Sequence, residues 1–214
     1  MVQNLSVFRR IDATDRRSDA GDKVIGEDSD QALVRRFKAG DEGAFNELVR
    51  RYQGRVYGLA CRMVRNPEDA EDISQEVFVK AYQALRRFRE DSAVYTWLYR
   101  IASNLCINYL RRKKLRESLS YETIAGWLAG RGAGPDREMA RGAVGTAVEE
   151  AVAKLPPRQR TVFILRQYEG LSHDEIAAAL KRSVGAVKAN YFHAVKRLQK
   201  ELDGYQGFIE DGRL

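Results

Sequence analysis

The chain of 214 residues carries 37 lysines and arginines against 30 aspartates and glutamates, a net charge of +7 that suits a polyanionic partner without establishing one. Its apolar residues never run eighteen together and no signal-peptide pattern opens it, which points to a cytoplasmic protein with no direct membrane insertion. Cys61 and Cys106 stand apart from any CxxC spacing or histidine cluster, so reduced core thiols are expected rather than a disulfide or zinc framework, and no cofactor is implied.

Residues 1–29 are polar, mixed in charge and aperiodic, and read as a disordered extension. Asp30 is a candidate acidic N-cap for a short helix carrying Leu33, Val34 and Phe37, which Gly40 stops. A long helix after Asp41 places Phe45, Leu48, Val49, Tyr52, Val56, Leu59 and Met63 on one stripe. Asn66 and Pro67 supply a cap and a first-turn proline for the next helix, where Glu68, Asp69, Glu71 and Asp72 favour the positive end of its dipole. Glu68, Asp69, Asp72, Gln75 and Glu76 fall on one face, opposite Ala70, Ile73, Val77, Ala81 and Ala84. Such a face suits a basic protein partner. It is equally compatible with a solvated helix surface.

Residues 88–94 read as a short loop, followed by a helix over 95–114 that buries Leu98, Ile101, Ala102, Leu105 and Tyr109, with Arg100, Ser103, Asn104 and Arg111 opposite. Phe88, Tyr95, Trp97 and Tyr99 lie among arginines there, and aromatic faces and guanidinium planes stack on unpaired bases. For Trp97 and Tyr95, core packing accounts for the ring equally well. The basic run Arg111-Arg112-Lys113-Lys114-Leu115-Arg116 favours phosphates. Glycines at 130, 132 and 134 and Pro135 then mark a flexible connection.

Periodicity resumes with Val144, Val148, Val152 and Leu155, and continues after Pro156 and Pro157 through Val162, Phe163 and Leu165. Ser172 and Glu175 form a capping box at the head of a short helix, and Ser183 caps the next, whose inward stripe is Val184, Val187, Tyr191, Val195 and Leu198. Its outward face gathers Gly185, Ala186, Ala189, His193 and Lys196, flanked by Lys188, Phe192 and Arg197. Small residues there let the backbone approach a DNA groove, and the basic and aromatic ones reach phosphates and base edges. The fold class is all-α: two small helical domains joined by a flexible linker, with a helix-turn-helix in the C-terminal domain. The expected divisions are 1–29, a first domain over 30–116, a linker over 117–141, a second domain over 142–203 and a tail over 204–214.

Asp72-Ile73-Ser74-Gln75-Glu76-Val77-Phe78, the stretch from Phe88 to Arg100, Leu155-Pro156-Pro157-Arg158-Gln159-Arg160 and the capped helix-turn-helix occur in that order. Together they resemble the extracytoplasmic-function sigma factors of the sigma-70 superfamily, over Asp30 to Leu202. The resemblance implies a sigma factor that binds core RNA polymerase, recognises the minus-ten and minus-thirty-five promoter elements and promotes DNA melting for transcription initiation. By that likeness Asp72, Gln75, Glu76 and Phe78 dock on the polymerase clamp helices. Phe88, Arg89, Asp91, Ser92, Tyr95, Trp97, Arg100 and Asn104 serve the melted single strand of the minus-ten element. Lys188, Ala189, Phe192, His193 and Lys196 serve the duplex minus-thirty-five element. An anti-sigma factor is implied as a regulatory partner. His193, where relatives commonly carry arginine, and Glu90, where glycine is frequent, depart from the pattern. The alternatives are a duplex-only helix-turn-helix regulator whose first domain senses or dimerises, and a protein adaptor without DNA activity. No nucleotide loop, metal cluster or nucleophile with its base occurs, so an enzyme is not expected.

Overall fold

The computed structural model describes residues 29–89, 92–119 and 137–203, and eight helices and no strand run through these described residues. Helix α1, Asp30–Lys38, seals Leu33, Val34 and Phe37 against α2. Its N-cap is Ser29 rather than Asp30: the Ser29 hydroxyl accepts from the Ala32 amide at 3.2 Å. Asp30 turns instead to α2, accepting from Arg51 at 2.6 Å and from the Tyr52 hydroxyl. Two adjacent residues could both cap, and cations and donors supplied from twenty residues away decide which does. Gly40, at φ +105°, makes the turn that an L side chain would resist.

Helix α2, Glu42–Val64, buries Phe45, Leu48, Tyr52, Val56, Leu59 and Met63 with Val49 half-buried, the expected stripe. Each fully buried leucine or phenylalanine in it contributes about 1.5–3 kcal/mol relative to exposure. Helix α3, Pro67–Leu85, is capped by Asn66, whose side-chain oxygen accepts from the Asp69 amide at 3.1 Å. Ala70 and Ala81, both fully buried, put small residues on its inward face beside Ile73 and Val77; Ala84 is exposed, outside that stripe. Helix α4, Val94–Leu119, starts one residue before the expected position and runs past Lys114.

The second module comprises α5, Arg137–Lys154, α6, Pro157–Gln167, α7, His173–Leu180, and α8, Val184–Glu201. Helix α5 begins ahead of Val144, and residues 120–136 lie outside the described residues. Both halves of the capping box form: the Glu175 amide reaches the Ser172 hydroxyl at 3.2 Å, and the Ser172 amide reaches the Glu175 carboxylate at 2.7 Å. Lys181, in the left-handed region at φ +50°, turns the chain into α8, which the Ser183 hydroxyl caps at the Ala186 amide. Phe163, Ile176, Val187 and Leu198 close the core behind the helix-turn-helix.

The two modules pack directly on one another, α4 against α6 and α7, and α2 against α5 and α6. One expectation for α4 is overturned: Ser103, placed on its exposed side, is fully buried, one turn beyond Tyr99, which reaches Glu169 of the second module, and Arg100 is half-buried, while Asn104 and Arg111 are exposed as expected. Burial and an adjacent carboxylate push the phenols of Tyr52 and Tyr99 above the ordinary value of about 10. A group whose folded pKa is raised contributes stability that is full below its unfolded value and is lost as pH rises through the folded one. The melting temperature should therefore fall above about pH 10, and ultraviolet titration should show at least two tyrosines ionising late. Ionisation of every phenol at the ordinary pH would rule this out.

Candidate functional site

Three surfaces carry the chemistry-bearing side chains. The first lies between α2 and α3. Asp72, Gln75 and Glu76 are exposed on α3, with Glu76 paired to Lys80 at 3.3 Å, and Glu68 extends the acidic row. Asp69, expected on the same face, is half-buried and accepts from the Tyr109 hydroxyl. Phe78 is half-buried and lines an open groove with Phe45, Val49, Tyr57, Val79 and Tyr82, with Glu71 and Gln75 at its edge. Val79 is 55% exposed and Tyr57 and Tyr82 are each 40% exposed. Tyr82 is held by its hydroxyl on Glu42 at 3.0 Å and by edge contacts to Phe37 and Phe45 at 5.3 and 5.2 Å. The apolar floor made by Tyr57, Val79 and Tyr82 was missed in the sequence. Its signal is apolar residues at 79 and 82 lying off the buried stripe of α3, spaced to share a face with Gln75 and Phe78.

The second surface is the loop before α4 and that helix's first turns. Phe88 and Trp97 are both buried, their rings 5.0 Å apart, and Lys38 donates to the Phe88 carbonyl at 2.7 Å. Trp97 is thus a core residue that fixes the loop. Arg89 is exposed and Ser92 half-buried, while Asp91 lies outside the described residues, as does Glu90. Tyr95 is half-buried and donates to Glu175 of α7 at 2.6 Å, a bond that holds the Glu175 carboxyl below the usual carboxylate range and raises the phenol. Arg100 is half-buried and Asn104 exposed, at the edge of a cleft shared with Arg158, Ala186 and Asn190 of the second module. Farther along α4, Arg111, Arg112, Lys114 and Arg116 are exposed, and Lys113 lies over the Tyr109 ring at 6.0 Å.

The third surface is the outer face of α8. Lys188, Ala189, His193 and Lys196 are exposed, and Phe192 is 62% exposed with its ring 5.6 Å from that of His193. Ala186, expected on the same face, is half-buried at the junction with α4. If Lys188 and Lys196 meet phosphates, a Lys188→Ala, Lys196→Ala variant should bind duplex DNA with a log–log salt slope shallower by about 1.8. An unchanged slope in salt titrations would remove both lysines from the contact. The Cys61 and Cys106 thiols are free, and burial pushes Cys106 up to about 12, which leaves it inert. No helix among the described residues is long and apolar enough to cross a membrane.

Comparison with known proteins covers both modules. The Sigma-70 region 2 family matches residues 48–116, and the Sigma-70, region 4 family matches residues 146–198. The chain is similar to the RNA polymerase sigma-H factor of Pseudomonas aeruginosa, 39% identical over an alignment of 186 residues that covers 84% of this chain and 96% of that protein. It is 38% identical over 181 residues to the ECF RNA polymerase sigma-E factor of Haemophilus influenzae, covering 81% of this chain and 95% of the relative. Among solved structures, CnrH in complex with the cytosolic domain of CnrY matches with a TM-score of 0.61 at 29% identity, over 83% of this chain and 99% of that one.

Proposed function

This chain belongs to the sigma-70 family as an extracytoplasmic-function sigma factor, and we propose from that premise how its three surfaces divide the work of starting transcription. It is a promoter-recognising subunit of RNA polymerase, and the duplex-only regulator is not favoured. The apolar groove between α2 and α3 with its acidic edge takes the clamp helices of core polymerase through Asp72, Gln75, Glu76 and Phe78. Arg89, Ser92, Tyr95, Arg100 and Asn104 receive the melted minus-ten strand, on a loop that Phe88 and Trp97 hold in place. Lys188, Ala189, Phe192, His193 and Lys196 receive the minus-thirty-five duplex.

The observation that carries this reading is the coexistence, on one basic chain, of an apolar groove beside the exposed acids Asp72 and Glu76 and an open helix face bearing Lys188 and Lys196. An acidic edge repels DNA and attracts a basic protein surface, and α8 offers the converse. Opening the duplex needs no bond made or broken by the protein: stacking of about 1–3 kcal/mol per base offsets the unstacking of the strand. We therefore read the chain as acting by binding alone, in the cytoplasm where polymerase and DNA meet. CnrH is bound by the cytosolic domain of CnrY, and an anti-sigma factor competing for the polymerase groove is the corresponding partner here.

The test is transcription from a randomised promoter library with purified core polymerase, with and without the protein, alongside a Gln75→Ala, Glu76→Ala variant. Initiation should appear only with the protein and fall about tenfold in the variant, since the exposed Glu76 charge steers the encounter and the Gln75 amide helps to orient it. If a core polymerase known to be active gains no initiation while the protein binds duplex DNA specifically, the regulator reading replaces this one.

A further inference from the structure

His173 opens α7, packs against α8 and lies outside the three surfaces. Its ring stands edge-on to that of Tyr191 of α8, with centroids 5.4 Å apart. Tyr191 is itself anchored: it stacks on Phe163 at 6.4 Å, and its hydroxyl accepts from the Gln167 side chain. The imidazole is thus held against α8 by a ring that the core fixes. Residues three apart on a helix share a face, so this contact sets His173 one turn from Lys188. The ring is half-buried, and its Nε2 atom is buried with no hydrogen-bond partner among the described residues.

Charges reach the ring from three helices. Arg166 of α6, whose guanidinium donates to the Leu171 carbonyl at 2.8 Å, and Lys188 of α8 both repel a positive imidazole, while Asp174 of α7 attracts one. Glu175, the other acid in the first turn of α7, accepts from the Ser172 amide and the Tyr95 hydroxyl. The Tyr191 phenol is raised by burial and stays neutral near pH 7. Burial first, then Arg166 and Lys188, hold His173 below the ordinary histidine value of about 6.5. A proton on Nε2 would also need an acceptor that no neighbouring residue provides. The free protein therefore keeps a neutral ring beside two cations.

We propose that His173 links duplex binding to pH: the ring is neutral in the free protein and takes up a proton from solvent when a DNA phosphate settles against Lys188. A helix-turn-helix lays its second helix in the groove and its first across the backbone, which brings phosphates to the seam between α7 and α8. Lys188 is exposed there, and a phosphate paired with it offsets the charge that keeps the ring neutral. The proposal rests on the assignment of α8 to duplex DNA and gives that contact a direction. Because the bound phosphate favours the protonated ring, duplex affinity rises as pH falls through the interval between the bound and free midpoints. The gain is complete below the free one.

The chain holds 2 histidines, His173 and His193, so nuclear magnetic resonance can follow both rings in the full wild-type chain. The chain is titrated with pH, free and bound at low salt to a random-sequence duplex of about two helical turns, and a His193→Gln variant assigns the signals. The His173 midpoint should rise by about one pH unit on binding, and from about pH 7.5 to about pH 5.5 duplex affinity should gain about tenfold more in the wild type than in a His173→Gln variant. His193 is common to both proteins, so its own titration cancels in that comparison. Circular dichroism checks that His173→Gln keeps its helices; if it does not, the resonance titration of the unaltered chain decides. An unmoved His173 midpoint with duplex bound, or a pH gain that persists in His173→Gln and vanishes in His193→Gln, would overturn the proposal and leave α8 on DNA. Absence of duplex binding at low salt would remove α8 from DNA and the proposal with it, so the two failures read differently.

Discussion

A Val79→Asp substitution is expected to weaken binding to core RNA polymerase by about a hundredfold while leaving the protein folded, because a desolvated, unpartnered carboxylate at an interface costs about 2–5 kcal/mol and each 1.4 kcal/mol is a factor of ten. Val79 is the most exposed of the apolar residues in the groove, at 55%, and contributes little to the core behind it. Its replacement should shift stability by no more than about 0.5 kcal/mol, as at other exposed sites. Tyr82, by contrast, packs on Phe37 and Phe45, so its removal would confound binding with folding. The effect of Val79→Asp should also exceed that of the Gln75, Glu76 pair. Charges at an edge mainly change the rate of encounter, whereas residues in a desolvated apolar floor set the rate of escape. Anisotropy of labelled protein titrated with core polymerase measures both variants, and wild-type affinity for Val79→Asp would place the docking surface elsewhere.

What the sequence made legible was local. Asn66 with Pro67, the Ser172 and Glu175 box and Ser183 are each bound by geometry within three residues, so the helices they start are found where composition places them. The stripe from Phe45 to Met63 was equally plain, since a helix with one buried side shows one period. Helix α4 has two buried sides. Leu98, Ala102 and Leu105 form the expected stripe, while Tyr99 reaches Glu169 of the other module and Ser103, one turn on, is buried where a single-stripe reading placed it in solvent. No periodicity could have revealed that, because Tyr99 and Glu169 are seventy residues apart and neither is apolar enough to announce a buried contact. The same limit explains the cap of α1, where Ser29 and Asp30 compete and Arg51 and Tyr52 settle the outcome from α2. The groove between α2 and α3 was half legible: the acids beside it were visible as a row, but its floor of Tyr57, Val79 and Tyr82 depends on how α2 and α3 cross.

Trp97 and Tyr95 are the residues for which sequence left two readings, base stacking or core, and the geometry separates them by their costs. At 6% exposure, with its ring 5.0 Å from that of Phe88, Trp97 has no free face for a base. Trp97→Ala should therefore destabilise the protein by about 3–5 kcal/mol, the usual cost of emptying a large aromatic site. That is a large share of the 5–15 kcal/mol that typically holds a domain folded. Tyr95→Ala should cost only about 0.5–1.5 kcal/mol, the net value of its hydrogen bond to Glu175. The order should reverse for the strand. Trp97→Phe, which refills most of the site, should recover promoter opening along with stability, because Trp97 acts through Phe88 and the loop that carries Arg89 and Ser92. If Tyr95 receives the strand as proposed, Tyr95→Ala should lose opening without unfolding, because its ring is only half-buried. Urea unfolding and promoter opening, measured on the same three variants, decide the matter. A Trp97→Ala protein with an unmoved urea midpoint but no opening would mean that the indole leaves the core and stacks on the strand itself.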